Sequence, residues 1–185
     1  MHSGLLAVVL LAICASTQAP AARPDPATLP AAEDSGRLAR VRRELEVRYA
    51  ENAAAFMARD TAAVYRLRAP GFHTETPDGR THSFADMRAY TARLFTMIER
   101  FDTLTFRIDS LALRGDTAVA VTFQRSSRVQ HLPGTPPAER HRVTAAVLQR
   151  EQWVPGAAGW LLWRVDRVRD QGLWIDGVLR ARQSP

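Results

Sequence analysis

Between Thr105 and Arg169 the chain repeats one pattern, a long extended segment followed by a turn rich in glycine or proline. Thr105 to Leu113 meets Arg114, Gly115, Asp116, and Thr117 to Gln130 resumes the extended pattern. The loop Pro133, Gly134, Thr135, Pro136, Pro137 leads to His141 to Trp153, and a turn around Pro155 to Gly159 leads to Trp160 to Arg169. Runs rich in β-branched and aromatic residues and bounded by turn residues are strands joined as hairpins. Four in succession predict a curved antiparallel sheet with few crossovers, and this constrains the fold more than any other stretch. Phe72 to Thr76 and Arg80 to Ser83, around Pro77, Asp78, Gly79, predict a small hairpin ahead of them.

The chain before these strands reads as helix. Leu38, Val41, Leu45, Tyr49, Asn52, Ala53 and Phe56 recur at spacings of three and four, while Arg42, Arg43, Glu46, Arg48 and Glu51 point largely elsewhere. Asp60 caps a short second helix through Val64 and Leu67, closed by Pro70 and Gly71. A third begins at Ser83, with Asp86 three residues on in a capping-box arrangement, and its stripe runs through Met87, Tyr90, Leu94, Met97 and Ile98. The fold class is therefore α+β, with three N-terminal helices packed against the sheet, and 185 residues suit one domain.

The first residues point to export. Leu5 to Ala15 form an apolar run too short to span a bilayer, followed by small and polar residues as far as Ala22. Residues 1–22 are read as a signal peptide, 23–36 as a proline-containing flexible linker, 37–177 as the folded domain and 178–185 as a C-terminal tail. The chain is expected to be secreted or periplasmic after cleavage, with lipidation at Cys14 as the alternative. Cys14 is the only cysteine, so a mature chain cleaved beyond it forms no internal disulfide and depends on its apolar core.

All 25 basic residues are arginine, against 19 acidic residues, for a formal charge of +6. That bias fits GC-rich coding as well as selection. Acidic residues recur in nearly every segment, so no arginine block forms the concentrated stripe of a nucleic-acid footprint, and no nucleic-acid partner is expected.

The helix-one segment Tyr49, Ala50, Glu51, Asn52, the short helix after Asp60 and the Pro-Asp-Gly turn suggest a known family. With Gly115 to Ala118 and Gly159 to Leu162, the arrangement resembles the nuclear transport factor two-like superfamily over Arg37 to Gly177. The similarity is strongest to its bacterial SnoaL-like and ketosteroid-isomerase-like branches. It implies a cone-shaped curved antiparallel sheet enclosing a pocket with the helices, and a homodimer; Leu161, Trp163 and Val165 make a second apolar face on the last long strand, so the dimer is expected through the sheet face. Ketosteroid-isomerase-like members carry a catalytic carboxylate just before a similar turn, where this chain has Thr76. Glu75 beside it should point to the other face of a regular strand, so the isomerase mechanism is disfavoured.

The polar residues with the most useful chemistry are Tyr49, Tyr90, Arg125, His141, Arg164 and Asp166. On strand alternation Arg164 and Asp166 share a face with Trp160 and Leu162, and His141 one with Val143, Ala145 and Val147. His141 could exchange a proton and Asp166 orient it, while Arg125 or Arg164 could hold a carboxylate or enolate oxygen. Each has a plainer role open to it, as a surface ion pair or core cover. His73 and His82 flank the small hairpin and could face each other, a weak metal signal without acidic or cysteine companions. No phosphate-cradling loop, serine elbow, paired cysteines or zinc helix occurs, and no cofactor is expected. The expected function is binding of a small apolar or aromatic ligand, neutral or anionic, in the cone pocket. The alternatives are a pocket acid-base enzyme (isomerase, cyclase or lyase) and a dimerising interaction module.

Overall fold

The computed structural model describes residues 32–76, 78–136 and 138–181. The expected signal peptide, its cleavage site and Cys14 lie outside these residues.

Helix α1 spans Ala32–Met57, so it begins inside the segment read as linker. Its stripe buries Val41, Leu45, Tyr49 and Asn52, as the spacing requires. Arg59, at φ 55°, turns the chain out of α1. Helix α2 (Thr61–Arg66) starts where the Asp60 carboxylate accepts from the Ala63 N–H at 2.9 Å. Strands β1 (Arg68–Glu75) and β2 (Thr81–Ser83) form the short hairpin. Helix α3 (Phe84–Met97) carries a complete capping box: the Asp86 N–H donates to Ser83 Oγ at 3.2 Å and the Ser83 N–H to Asp86 Oδ2 at 3.0 Å.

Four long strands follow, β3 (Ile98–Arg114), β4 (Thr117–Gln130), β5 (His141–Gly156) and β6 (Gly159–Ile175), then a short β7 (Val178–Ala181). Strand β7 occupies ground read as a tail, because Asp176 and Gly177 both take positive φ and turn the chain back along β6.

The cone is not what forms. The sheet runs β2-β1-β6-β5-β4-β3 as an open path, neither closed nor strongly curled. It is also mixed, since β1 lies parallel to β6, with the Leu162 N–H donating to Leu67 O at 2.9 Å. Closure would require the three-residue β2 to pair with the 17-residue β3. Helices cover the inner face instead.

The register defines that inner face. Strands β4 and β5 pair without a shift, so Ala118, Ala120, Thr122 and Gln124 share a face with Trp153, Glu151, Gln149 and Val147. Leu45, Val64, Ile98 and Trp153 are fully buried between this face and the helices. Strand β6 carries extra residues relative to β5, one of them Trp163, inserted between the pairs Leu162–Trp153 and Arg164–Gln152. Such a bulge reverses the parity of everything beyond it. Leu162 therefore faces inward while Arg164 and Asp166 face outward, correcting the shared face expected from simple alternation.

Candidate functional site

A cavity of about 150 Å³ lies between the inner sheet face and the helices. Its apolar wall includes Phe56 of α1, Phe72 of β1, Met87 of α3 and Phe106 of β3. Its polar wall is made by Tyr49, Asn52, Arg68, Gln124, Gln149 and Glu151.

Glu151, 2% exposed, is the buried carboxylate at the centre of that wall. Its Oε2 accepts from the Tyr49 hydroxyl at 2.5 Å and from Trp153 Nε1 at 3.0 Å, and its Oε1 accepts from Gln149 Nε2 at 2.6 Å. Three donors to one carboxylate offset the loss of water that burial imposes. Burial, then the charge and hydrogen bond of Glu151, push the Tyr49 phenol well above its ordinary value. Tyr49 is thereby held as a donor. Its ring stacks on Phe106 at 5.3 Å and meets Trp153 edge-on at 5.2 Å, so its position is set by packing as well as by hydrogen bonds.

Arg68, the first residue of β1, brings a positive charge to the same cavity. Its Nη2 donates to Asn52 Oδ1 at 3.0 Å, and its guanidinium lies 5.5 Å from the Phe72 ring centre. Part of the residue reaches solvent, but Nη1 is sealed from it and has no partner among the described residues. Burial lowers the Arg68 guanidinium, and the charge of Glu151 works against that shift. The cavity thus offers an unused cationic N–H among aromatic rings, with a carboxylate nearby whose lone pairs are largely engaged.

A larger groove of about 520 Å³ runs between α1 and the β5–β6 turn, past Glu44, Val47, Arg48 and Trp160. It is bordered mainly by exposed residues and gathers no comparable buried set.

No family model and no curated protein matches the chain. Solved structures do. A ketosteroid isomerase-like protein from Erwinia carotovora atroseptica superposes with TM-score 0.52 at 14% identity, covering 72% of this chain and 95% of its own. A nuclear transport factor 2-like superfamily protein from Salmonella enterica serovar Typhimurium gives 0.52 at 14%, covering 79% and 94%. A type 2 hexachlorocyclohexane dehydrochlorinase gives 0.57 at 9%, covering 80% and 97%. The chain has the nuclear transport factor two-like fold. At these identities the likeness extends to the architecture only.

Within this nuclear transport factor two-like framework the sequence-derived candidates scatter. Tyr49 lines the cavity. Tyr90 sits on α3 at 36% exposure, with its hydroxyl close to the Arg128 and Arg93 charges. Arg125 is exposed on the outer face, opposite Thr105 and Ala146. Asp166, 3% exposed, is gripped by Arg150 Nε at 2.5 Å and Nη2 at 2.7 Å. Arg164 Nε lies 2.8 Å away, an ion-pair contact too bent for a hydrogen bond, and Arg164 Nη2 also bonds Glu75. Burial alone would raise the Asp166 carboxyl, but the hydrogen bond and charge of Arg150 and the charge of Arg164 hold it below its ordinary value.

His141 does not meet Asp166. Its Nδ1 lies 2.7 Å from Asp176 Oδ2, and its Nε2 lies 3.3 Å from Glu139 Oε1. Asp166 is opposite Arg150, nine residues further along β5 and on the other face, which is about 30 Å away at the rise of a strand. His73 and His82 do not face each other either, since His82 pairs with Thr74 and His73 with Ser83. Among the described residues no group of three or more His, Cys, Asp or Glu is arranged to hold a metal. No helix among them is long and apolar enough to cross a membrane.

Sequence reasoning missed Glu151 and Arg68. The signal for Glu151 was present. Continuing the inward positions Val143, Ala145 and Val147 by twos reaches Gln149, Glu151 and Trp153, so a carboxylate on the apolar parity of a strand marked the site.

Proposed function

We propose that the protein binds a small molecule of about one aromatic ring, carrying an oxygen acceptor, in the cavity between α1, α3 and the inner sheet face. The observation that carries this reading is the Arg68 Nη1 group, sealed from solvent, without a partner among the described residues and beside aromatic walls. A buried donor that is left unmet is costly, and a ligand oxygen would meet it. The volume fits the scale, because an apolar cavity of about 150 Å³ accepts benzene. The Phe72 and Phe106 rings would stack against the body of the ligand, and Arg68 would fix its oxygen.

Proton transfer through His141 and Asp166 gains no support from their separation. Calorimetric titration of the purified protein with a panel of substituted benzoates, benzaldehydes and small cyclic ketones tests binding. Saturable binding is expected for at least one class, with a loss of about tenfold or more in the Arg68→Met variant. A panel without binders, or affinity indifferent to Arg68→Met, refutes the reading.

The leader-like run Leu5 to Ala15 supports placing this activity outside the cytoplasm. Fractionation of the producing cells, with mass spectrometry of the mature N-terminus, tests that placement. The half-buried apolar residues Val119, Val121 and Phe123 on the outer face support self-association there. Sedimentation showing only monomer at high concentration would dispose of it.

A further inference from the structure

The inner face continues past the cavity and carries a second arginine that ligand binding at Arg68 leaves unexplained. Along β4 the inward row runs Gln124, Ser126, Arg128, Gln130. Gln124 lines the cavity, and Arg128 lies four residues beyond it, about 13 Å along the strand.

Arg128 is 7% exposed. Its Nε donates to Gln130 Oε1 at 2.5 Å and its Nη1 to Ser126 Oγ at 3.3 Å. Both partners are neutral. Among the described residues no carboxylate pairs with this guanidinium, whereas Arg150, Arg164 and Arg48 each have one. Burial lowers the Arg128 guanidinium, and the one nearby group acting against that shift is Tyr90. A buried charge is normally retained only with a counter-charge, because hydrogen bonds to neutral groups recover part of its lost hydration.

The groups around it are donors still available. Gln130 is 0% exposed, and its amide Nε2 is buried without a partner among the described residues. Ser126, 3% exposed, accepts from Arg128, and its O–H donates to no described residue. Arg128 Nη2 makes no hydrogen bond among the described residues. Arg93, exposed on α3, adds a second positive charge, since both arginines act on the Tyr90 phenol. Guanidinium, amide and hydroxyl donors follow one another along this inward row, and no described acid bonds any of them, a set complementary to a planar or tetrahedral oxyanion.

We propose that Arg128, Gln130 and Ser126 form an oxyanion site that takes a small carboxylate or phosphate group beside Tyr90, independently of the Arg68 cavity. The counter-ion that the fold omits is supplied by the ligand.

The full-length protein is titrated separately with inorganic phosphate and with acetate, at ionic strength held constant with sodium chloride, and thermal unfolding is recorded. At least one anion should raise the midpoint saturably, and which one does so identifies the class. Arg128→Gln should weaken that response about tenfold or more. It should also raise the midpoint measured without the anion, because the uncompensated charge is gone. Arg68→Met should leave the anion response intact, so failure of the cavity reading and failure of this one are distinguishable. Should Arg128→Gln not fold, Gln130→Met, which removes the free amide donor, is expected to weaken the response several-fold. No saturable response to either anion, or equal responses in wild type and the folded variant, overturns the site.

Discussion

The Tyr49 hydroxyl donates to Glu151 and accepts from Trp153 Nε1 at 3.1 Å, so one oxygen joins helix to sheet. Tyr49→Phe keeps the ring packing and removes that oxygen. The loss should be about 1–3 kcal/mol of unfolding free energy, read from urea melts, because Glu151 stays buried with one donor fewer. Asp170 presents the opposite case. It is 5% exposed, its Oδ1 is buried without a partner among the described residues, and burial raises its carboxyl above the ordinary 3.8. A raised folded-state value favours the fold fully below the unfolded value, and that advantage is lost as pH climbs through the folded one. Asp170→Asn should therefore stabilise the protein near pH 7 and give no gain near pH 3, as a series of melts across that range would reveal. At this scale the sequence identified Tyr49 on its stripe. It could not identify Arg68, because the residues around it carry no period that tells an inward arginine from a solvated one.

Among the elements, the helices were the most legible. Their three-and-four spacing and the Asp60 and Ser83 caps set their faces and two of their starts. Ser83→Ala breaks the box at α3 and should cost about 0.5–2 kcal/mol, measured by chemical denaturation, with the loss concentrated in protection of the first α3 amides. The end of α3 was less clear, since Met97 and Ile98 extend the helical stripe although Ile98 already begins β3. No turn residue separates the two elements. The outward position of Arg164 and Asp166 was hidden for a related reason: a bulge at Trp163 leaves no mark in a pattern read with period two. Strand β7 had a signal that went unused, because Asp176-Gly177 is the kind of dipeptide that supports positive φ at both centres of a tight hairpin.

For the molecule as a whole, one sheet face is covered by helices, and two arginines on that face, Arg68 and Arg128, have no carboxylate partner within hydrogen-bonding reach among the described residues. Strand order was legible where hairpins dictate it, from β3 to β6. The parallel entry of β1 was not, since pairing between residues so far apart in sequence depends on how α2 redirects the chain. That entry leaves β6 bordered on one side by two separate pieces, β1 along Leu162 to Val165 and β7 along Leu173 to Ile175. A chain ending at Gly177 would keep the first piece and bare the second, exposing a short row of backbone donors and acceptors on which other copies could stack. Light scattering should show such a shortened form lost to aggregates, while any soluble remainder still fills its cavity. Val178–Ala181 would then act as a hem, keeping the fabric from fraying into its neighbours.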